Sequence, residues 1–135
     1  MVFGTFDGLH RGHLHFFRQA KKLGRNAYLI VSVARDLNVK KIKKRLPEWP
    51  EDKRASVLRR VSSVDKVVLS GIRNHLLHII KERPDIIALG YDQRHYVKNL
   101  RADLKKRGLL VKIRRLRPYK PDIFKNRLLK KKRGL

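Results

Sequence analysis

Two histidines three residues apart, His10 and His13, lie at the end of the segment 4–13, which reads GTFDGLHRGH. Side chains at this spacing in the first turn of a helix lie on one face, so both imidazoles could act on the same ligand. That turn attracts anions through its backbone N–H groups, and Gly12 would let a phosphate approach the backbone closely. Imidazoles beside a phosphate can donate hydrogen bonds and, when protonated, can offset charge that develops during phosphoryl transfer. The pattern therefore indicates phosphate chemistry that requires no nucleophilic side chain.

Two simpler interpretations of these histidines stay open at this point. One histidine could cap the helix while the other lies on the surface, or the two could form a weak metal-binding pair. Neither interpretation explains why these histidines are accompanied by Gly4, Thr5, Asp7 and Gly12. No protein ligand set for a metal is expected elsewhere, because three later histidines show no ligand spacing: His75, His78 and His95.

The rest of the chain alternates between apolar runs and amphipathic stretches. Residues 27–34 (AYLIVSVA) and 85–89 (DIIAL) are apolar almost throughout, which is typical of parallel strands buried on both faces. Strands are predicted at residues 2–5, 27–34, 64–69, 85–89 and 109–116, and helices at 11–23, from 51 onward, around 76–80, at 99–108 and at 123–132. The segment 40–50, which contains two prolines and Trp49, is predicted to be a loop over the site.

Strands that alternate with helices predict an α/β fold, here a Rossmann-like three-layer sandwich with a five-stranded parallel sheet. We expect a single domain over residues 1–135, in which residues 122–135 form a basic C-terminal helix. Ligands in such sheets bind beyond the carboxyl ends of the strands. The loop after the first strand and residues 90–93 (GYDQ) after the fourth would therefore face one crevice.

The chain is strongly basic, with 36 Lys and Arg residues against 11 Asp and Glu residues and a formal net charge of +25. From Arg101 to the end, fifteen basic residues stand against two acidic ones, so the excess is densest there. This charge favours nonspecific nucleic-acid binding and a solvated basic surface about equally. Aromatic residues make up only 7% of the chain and do not alternate with the basic runs, which disfavours a stacking platform for single strands.

Composition also limits the class of protein. The absence of cysteine excludes disulfides and thiolate metal sites. No apolar run approaches the roughly 20 residues that span a bilayer, and the first residues show no signal-peptide pattern. We therefore expect a soluble, cytoplasmic protein with no membrane partner.

Together with the strand before it, the segment 4–13 resembles the signature of the cytidylyltransferase-like nucleotidylyltransferases, which carry a His-x-Gly-His motif. The resemblance extends to residues 33–36 (VARD), 65–69 and 89–93 (LGYDQ). It implies that His10 and His13 contact a nucleoside triphosphate and stabilise a pentavalent transition state while an acceptor phosphate attacks and pyrophosphate leaves. It also implies that Mg²⁺ accompanies the nucleotide. Members of this family are often homodimers, and the sequence leaves that state open.

Variation within the motif distinguishes the branches of the family. Phosphopantetheine adenylyltransferases usually have threonine at the position of His10, and nicotinamide mononucleotide adenylyltransferases usually have proline at that of Gly8. Residues 89–93 and 117–121 (RPYKP) resemble the small archaeal-type FAD synthases, which implies adenylyl transfer from ATP to FMN. A CTP:glycerol-3-phosphate cytidylyltransferase is one alternative, although that branch typically has a tryptophan close behind Asp92. A basic nucleic-acid-binding protein on the same scaffold is another.

The resemblance also implies the residues that bind substrates. Nucleotide contacts are implied for Gly4, Thr5, Phe6, Asp7, Gly12, Asp92, Asn126 and Arg127. Acceptor or phosphate contacts are implied for Lys43, Lys44 and Arg54. The chain departs from the family where relatives carry a Lys-Gly pair, here Lys43-Lys44, and where they carry two hydroxyl residues, here Asn126-Arg127. Asn126 could still donate to a phosphate oxygen and Arg127 could supply charge; otherwise the enzyme would be slow or altered in substrate.

Overall fold

The computed structural model describes residues 1–71, 75–94 and 98–118. Its strands are β1 (Val2–Gly4), β2 (Ile30–Val33), β3 (Lys66–Leu69), β4 (Ile86–Leu89) and β5 (Lys112–Arg115). Its helices are α1 (Arg11–Lys21), α2 (Asp36–Lys43), α3 (Glu51–Arg59), α4 (His75–Glu82) and α5 (Leu100–Lys106). None of these helices is long and apolar enough to cross a bilayer. The helix predicted at 123–132 lies outside the described residues.

The strands pair in parallel, but they form two ladders and not the single five-stranded sheet that the sequence predicts. One ladder joins β1, β2 and β3, and the other joins β4 and β5. β1 and β4 lie side by side, because the Ala88 N–H donates to Met1 O at 3.0 Å and the Met1 amino group donates to Ile86 O at 2.8 Å. Beyond these bonds the side chain of Gln93 lies where the next backbone pair would form. The strands therefore lie in the order 3-2-1-4-5. All of them are parallel, but β2 and β3 lie on one side of β1 whereas β4 and β5 lie on the other.

Helices cover both faces of the strands, and each face has its own apolar core. α1 and α3 cover one face, where Phe17 and Leu58 are fully buried. α4 and α5 cover the other face, where Ile79 and Leu104 are fully buried. Successive residues of β1 and β4 alternate between the two cores, as expected for strands buried on both sides. The predicted α/β fold with helices on both faces is thus confirmed.

The prediction that residues 40–50 form a loop is wrong for its first part, because α2 continues to Lys43. Asp36 and Glu51, the first residues of α2 and α3, cap each other's helices. The Asp36 N–H donates to Glu51 Oε1 at 2.9 Å, and the Glu51 N–H donates to Asp36 Oδ2 at 3.3 Å. Acidic residues at two helix N-termini also suit the helix dipoles. Val39 of α2 is buried, and both prolines lie beyond the end of the helix.

Candidate active site

His10 and His13 lie at the N-terminus of α1 and hold each other in place. His10 is the N-cap, and its Nδ1 accepts the N–H of Gly12 at 3.0 Å and that of His13 at 3.4 Å. His13 Nδ1 in turn accepts the N–H of His10 at 3.3 Å. The two rings stack, with their centroids 3.8 Å apart and their planes at 20°. The result is a reciprocal capping box in which two imidazoles replace the usual hydroxyl and carboxylate.

This cap determines which nitrogen of each imidazole carries the proton. A neutral imidazole has one donor and one acceptor nitrogen, and Nδ1 of both rings accepts, so the proton lies on Nε2. Burial lowers the pKa of His10, and burial together with the neighbouring His10 lowers the pKa of His13 to about 3. Both rings are therefore neutral near pH 7 and have an Nε2–H donor. Because both histidines take part in the cap, a description of one as a surface residue is wrong.

Phe6 lies beneath this turn and explains one glycine of the motif. Its buried ring lies edge-on to the His13 ring, with centroids 5.4 Å apart, and packs against Phe17 at 5.4 Å. Phe6 has a left-handed φ of 53°, and its ring covers Gly4. A Cβ at Gly4 would lie 2.6 Å from Cζ of Phe6. Packing alone therefore requires glycine at position 4, and nucleotide contact by Gly4 or Phe6 stays a prediction.

Asp7 connects the motif loop to the segment that follows α2. Its carboxylate oxygens accept the backbone N–H groups of Glu48 and Trp49, both at 2.8 Å. The segment 44–50 therefore lies against the motif loop. The Trp49 ring lies 4.6 Å from the Lys53 ammonium, a cation–π contact. Direct contact of Asp7 with a nucleotide stays a prediction, since in this structure the protein backbone engages its carboxylate.

Arg54 lies fully buried beneath the motif loop, with none of its surface exposed. Its guanidinium donates to three backbone carbonyls, those of Thr5 at 2.8 Å, Ala34 at 2.7 Å and Trp49 at 2.9 Å. It also forms an ion pair with Asp36 at 2.6 Å. One side chain thus joins the loop after β1, the residue that follows β2 and the segment that precedes α3. Contact of Arg54 with a phosphate stays a prediction, and it would require one of these bonds to be exchanged.

The loop after β4 forms the opposite wall of the crevice. Gln93 Oε1 accepts the Gly90 N–H at 2.8 Å, and its Nε2 donates to Phe3 O at 2.6 Å. Arg115 donates to the carbonyls of Gly90 and Gln93, both at 2.8 Å. The exposed Asp92 lies in the same loop, and its contact with nucleotide stays a prediction. The sequence gives little reason to choose Gln93, which belongs to no charged or repeated pattern, and it does not distinguish Arg115 from the other basic residues of the segment 112–117.

The other predicted binding residues lie apart from these contacts. Lys43 is the last residue of α2, Lys44 is its left-handed C-cap, and both side chains are exposed. Their role with an acceptor stays a prediction. Asn126 and Arg127 lie outside the described residues.

Two further histidines lie in α4 and have structural contacts. His78 Nε2 lies 2.6 Å from Oγ of the buried Ser32 in β2. The His75 ring packs against Phe3 with centroids 5.1 Å apart. Burial, with a smaller effect of His78, lowers the pKa of His75 to about 4. These contacts join α4 to the strands on the face opposite α1.

Comparisons with known proteins find similar sequences and a similar solved structure. The FAD synthase of Korarchaeum cryptofilum is 50% identical over 117 residues, which cover 86% of this chain and 79% of that protein. The FAD synthase of Pyrococcus abyssi is 47% identical over 120 residues, which cover 88% of this chain and 79% of that protein. A solved structure, the lipopolysaccharide core biosynthesis protein from Thermoplasma volcanium, superposes with a TM-score of 0.80 at 36% identity, over 88% of this chain and 95% of that one. The cytidylyltransferase-like family model matches residues 1–131, and the chain therefore belongs to the cytidylyltransferase-like family.

Proposed function

We propose that this protein is an FMN adenylyltransferase, which transfers AMP from ATP to the phosphate of FMN and releases pyrophosphate and FAD. The observation that carries the proposal is the reciprocal cap of His10 and His13, which keeps an Nε2–H donor on each imidazole at the start of α1. This start lies just beyond β1, beside the point where the strand order reverses. FAD synthases that are 42% to 50% identical over most of the chain support FMN as the acceptor.

The reaction is an in-line transfer in which a phosphate oxygen of FMN attacks the α-phosphorus of ATP. A new P–O bond forms, and the bond to the pyrophosphate leaving group breaks. His10 and His13 would donate their Nε2–H groups to phosphate oxygens whose negative charge grows in the transition state. A second proton on either ring would bind at Nδ1 and displace the backbone N–H groups that the ring accepts. The cap therefore favours neutral donors over imidazolium ions.

Magnesium enters this proposal as part of the nucleotide substrate. Mg²⁺ is usually bound by substrate phosphates with one or two carboxylates. Within the described ranges, no group of three or more His, Asp or Glu side chains could hold a metal ion. The carboxylates of Asp7 and Asp36 are engaged by backbone N–H groups and by Arg54. We therefore assign the ion to the phosphates.

The decisive experiment measures pyrophosphate release from ATP and from CTP with Mg²⁺, each with FMN and with glycerol 3-phosphate as acceptor. We expect release only from ATP with FMN, together with an equal amount of FAD detected by chromatography. A His13→Ala preparation purified in the same way is the control for contaminating enzymes. Release from CTP with glycerol 3-phosphate would establish the cytidylyltransferase alternative. A failure of both acceptors to support release would contradict the proposal.

The basic surface supports nonspecific nucleic-acid binding as a second candidate activity. Between residues 98 and 118, nine Lys and Arg side chains are exposed and one acidic residue, Asp103, accompanies them. Binding of this kind weakens steeply with salt, so a dissociation constant for duplex DNA that does not change between low and high salt would exclude it. A homodimer and a cytoplasmic location also stay predictions.

A further inference from the structure

We propose that Gln93 is a positioning residue that keeps the crevice between β1 and β4 open for the nucleotide. The inference rests on the proposed function only in taking a nucleoside triphosphate as the ligand. It concerns the affinity of this ligand and not the identity of the acceptor. Three observations support it: the strand register, the hydrogen bonds of Gln93 and the anchoring of its loop.

The backbone bonds between β1 and β4 fix the register of the two strands. The Ala88 N–H donates to Met1 O at 3.0 Å, and the Met1 amino group donates to Ile86 O at 2.8 Å. Hydrogen bonds in a parallel ladder recur at every second residue of each strand. Continued by one step, this register would direct the Gly90 N–H to Phe3 O. That bond would extend the ladder towards the carboxyl ends of both strands.

The carboxamide of Gln93 takes the place of this bond. Its Oε1 accepts the Gly90 N–H at 2.8 Å, and its Nε2 donates to Phe3 O at 2.6 Å. Both backbone groups are therefore satisfied, but by a side chain inserted between them. A direct bond would bring the two groups to about 2.9 Å, whereas two bonds in series through an amide hold them several ångströms further apart. The strands thus separate at the end that faces the histidines.

The loop that carries Gln93 is anchored on its own side of the crevice. The Gln93 N–H donates to Gly90 O at 3.1 Å, which closes a turn. Arg115 of β5 donates to the carbonyls of both residues at 2.8 Å. The carboxamide is therefore held in place before any ligand binds, and a preformed opening reduces the free-energy cost of binding.

A nucleotide at this point would contact the end of β1 on one side and the loop after β4 on the other. Without the carboxamide, the Gly90 N–H can donate directly to Phe3 O. This bond would extend the ladder between β1 and β4 by one hydrogen bond and narrow the opening. The fold would keep its hydrogen bonds, but the bound nucleotide would lose room. The loss should therefore affect nucleotide affinity and KM, with little effect on kcat at saturating nucleotide.

The test compares three full-length variants with the wild-type protein: Gln93→Leu, Gln93→Glu and Gln19→Leu. Gln19 is a matched control because its carboxamide makes the same pair of bonds elsewhere, accepting the Arg117 N–H at 3.0 Å and donating to Arg117 O at 2.9 Å. Dissociation constants for ATP and a non-hydrolysable ATP analogue are measured by isothermal titration calorimetry, and thermal unfolding is followed in parallel. We expect Gln93→Leu to weaken nucleotide binding about tenfold, and Gln19→Leu to leave it unchanged.

Gln93→Glu gives a pH signature that a purely structural residue would not give. Its carboxylate can accept the Gly90 N–H, but its second oxygen repels Phe3 O. Protonation restores a donor in the same place, and the neighbouring Phe3 O raises the pKa of this carboxyl above its ordinary value of about 4.3. Nucleotide affinity relative to wild type should therefore recover as the pH falls from about 8 to about 5. Wild-type affinity in Gln93→Leu, an equal loss in Gln19→Leu, or no recovery in Gln93→Glu would each overturn the proposal.

The outcome for the proposed function is separate. A wild-type protein that binds ATP but does not adenylylate FMN would refute the FMN adenylyltransferase activity, and the affinities of the Gln93 variants would still decide the role of Gln93. A wild-type protein that binds neither ATP nor CTP would overturn both.

Discussion

Replacing Arg54 by methionine should destabilise the protein by several kcal/mol. Methionine approximates the volume of the arginine stem but donates no hydrogen bond, so three carbonyls and Asp36 lose a partner. Breaking a buried ion pair by removing one member costs about 3–5 kcal/mol. Asp36 is 28% exposed, so water can partly replace the guanidinium there, which places the expected loss near 4 kcal/mol. A domain of this size is stable by only about 5–15 kcal/mol.

Urea denaturation followed by circular dichroism measures this loss. Arg59→Met is the matched control, because Arg59 lies in the same helix and its side chain is exposed, and surface changes usually stay within about 0.5 kcal/mol. Arg54→Lys should lie between the two, since an ammonium keeps the charge but cannot reach all four partners. Equal stability of Arg54→Met and Arg59→Met would refute the structural role. If Arg54→Met also raised KM for the acceptor, the phosphate contact implied by the family resemblance would be supported.

Three further predictions concern the motif and pH. Gly4→Ala should cost about 1–3 kcal/mol, because its Cβ would meet the Phe6 ring at 2.6 Å, whereas Gly24→Ala, which meets nothing closer than 3.8 Å, should be neutral in thermal unfolding. His13→Ala should lower kcat strongly while it lowers the free energy of unfolding only slightly, and unchanged kcat would exclude its catalytic role. The pKa values of His13 (about 3) and His75 (about 4) are lower in the folded protein than the ordinary histidine value of 6.5. Below pH 6.5 the unfolded chain therefore binds more protons than the folded protein does. Stability should therefore be full above pH 6.5 and fall as the pH drops towards 4; a His75→Phe variant whose Tm falls as steeply as that of wild type would contradict this.

The sequence predicted every strand that the structure describes but made all five of them too long. Residues 109–116 were expected in β5, which spans only Lys112–Arg115, and residues 27–34 in β2, which spans only Ile30–Val33. An apolar run indicates that its residues are buried, whereas a strand also requires backbone hydrogen bonds to a neighbouring strand. Leu29 and Val111 are buried directly before these strands begin. Hydrophobic pattern therefore identifies a strand more securely than it locates the ends.

The errors have a common cause in contacts between residues distant in sequence. α2 depends on Glu51, which caps it from fifteen residues away. The separation of the two ladders depends on the contact between Gln93 and Phe3, which are ninety residues apart. Arg54 looks in the sequence like its charged neighbours Lys53 and Arg59, although it alone of these three is buried. Bonds from side chains to backbone carbonyls leave no pattern in the sequence, because every residue has a carbonyl.

The choice of histidine at both ends of the α1 cap cannot be explained by helix stability. Ser, Thr, Asp or Asn at the N-cap and Glu at the third position satisfy the same backbone N–H groups, and the acidic choices also interact favourably with the helix dipole. His10 and His13 make the same capping bonds through Nδ1 and are neutral, so they gain nothing from the dipole. What they add is a second ring nitrogen, Nε2, which must carry the proton because Nδ1 accepts. The hydrogen bonds that begin α1 therefore also prepare two donors for an anion, and this second property accounts for histidine where the helix alone would favour other residues.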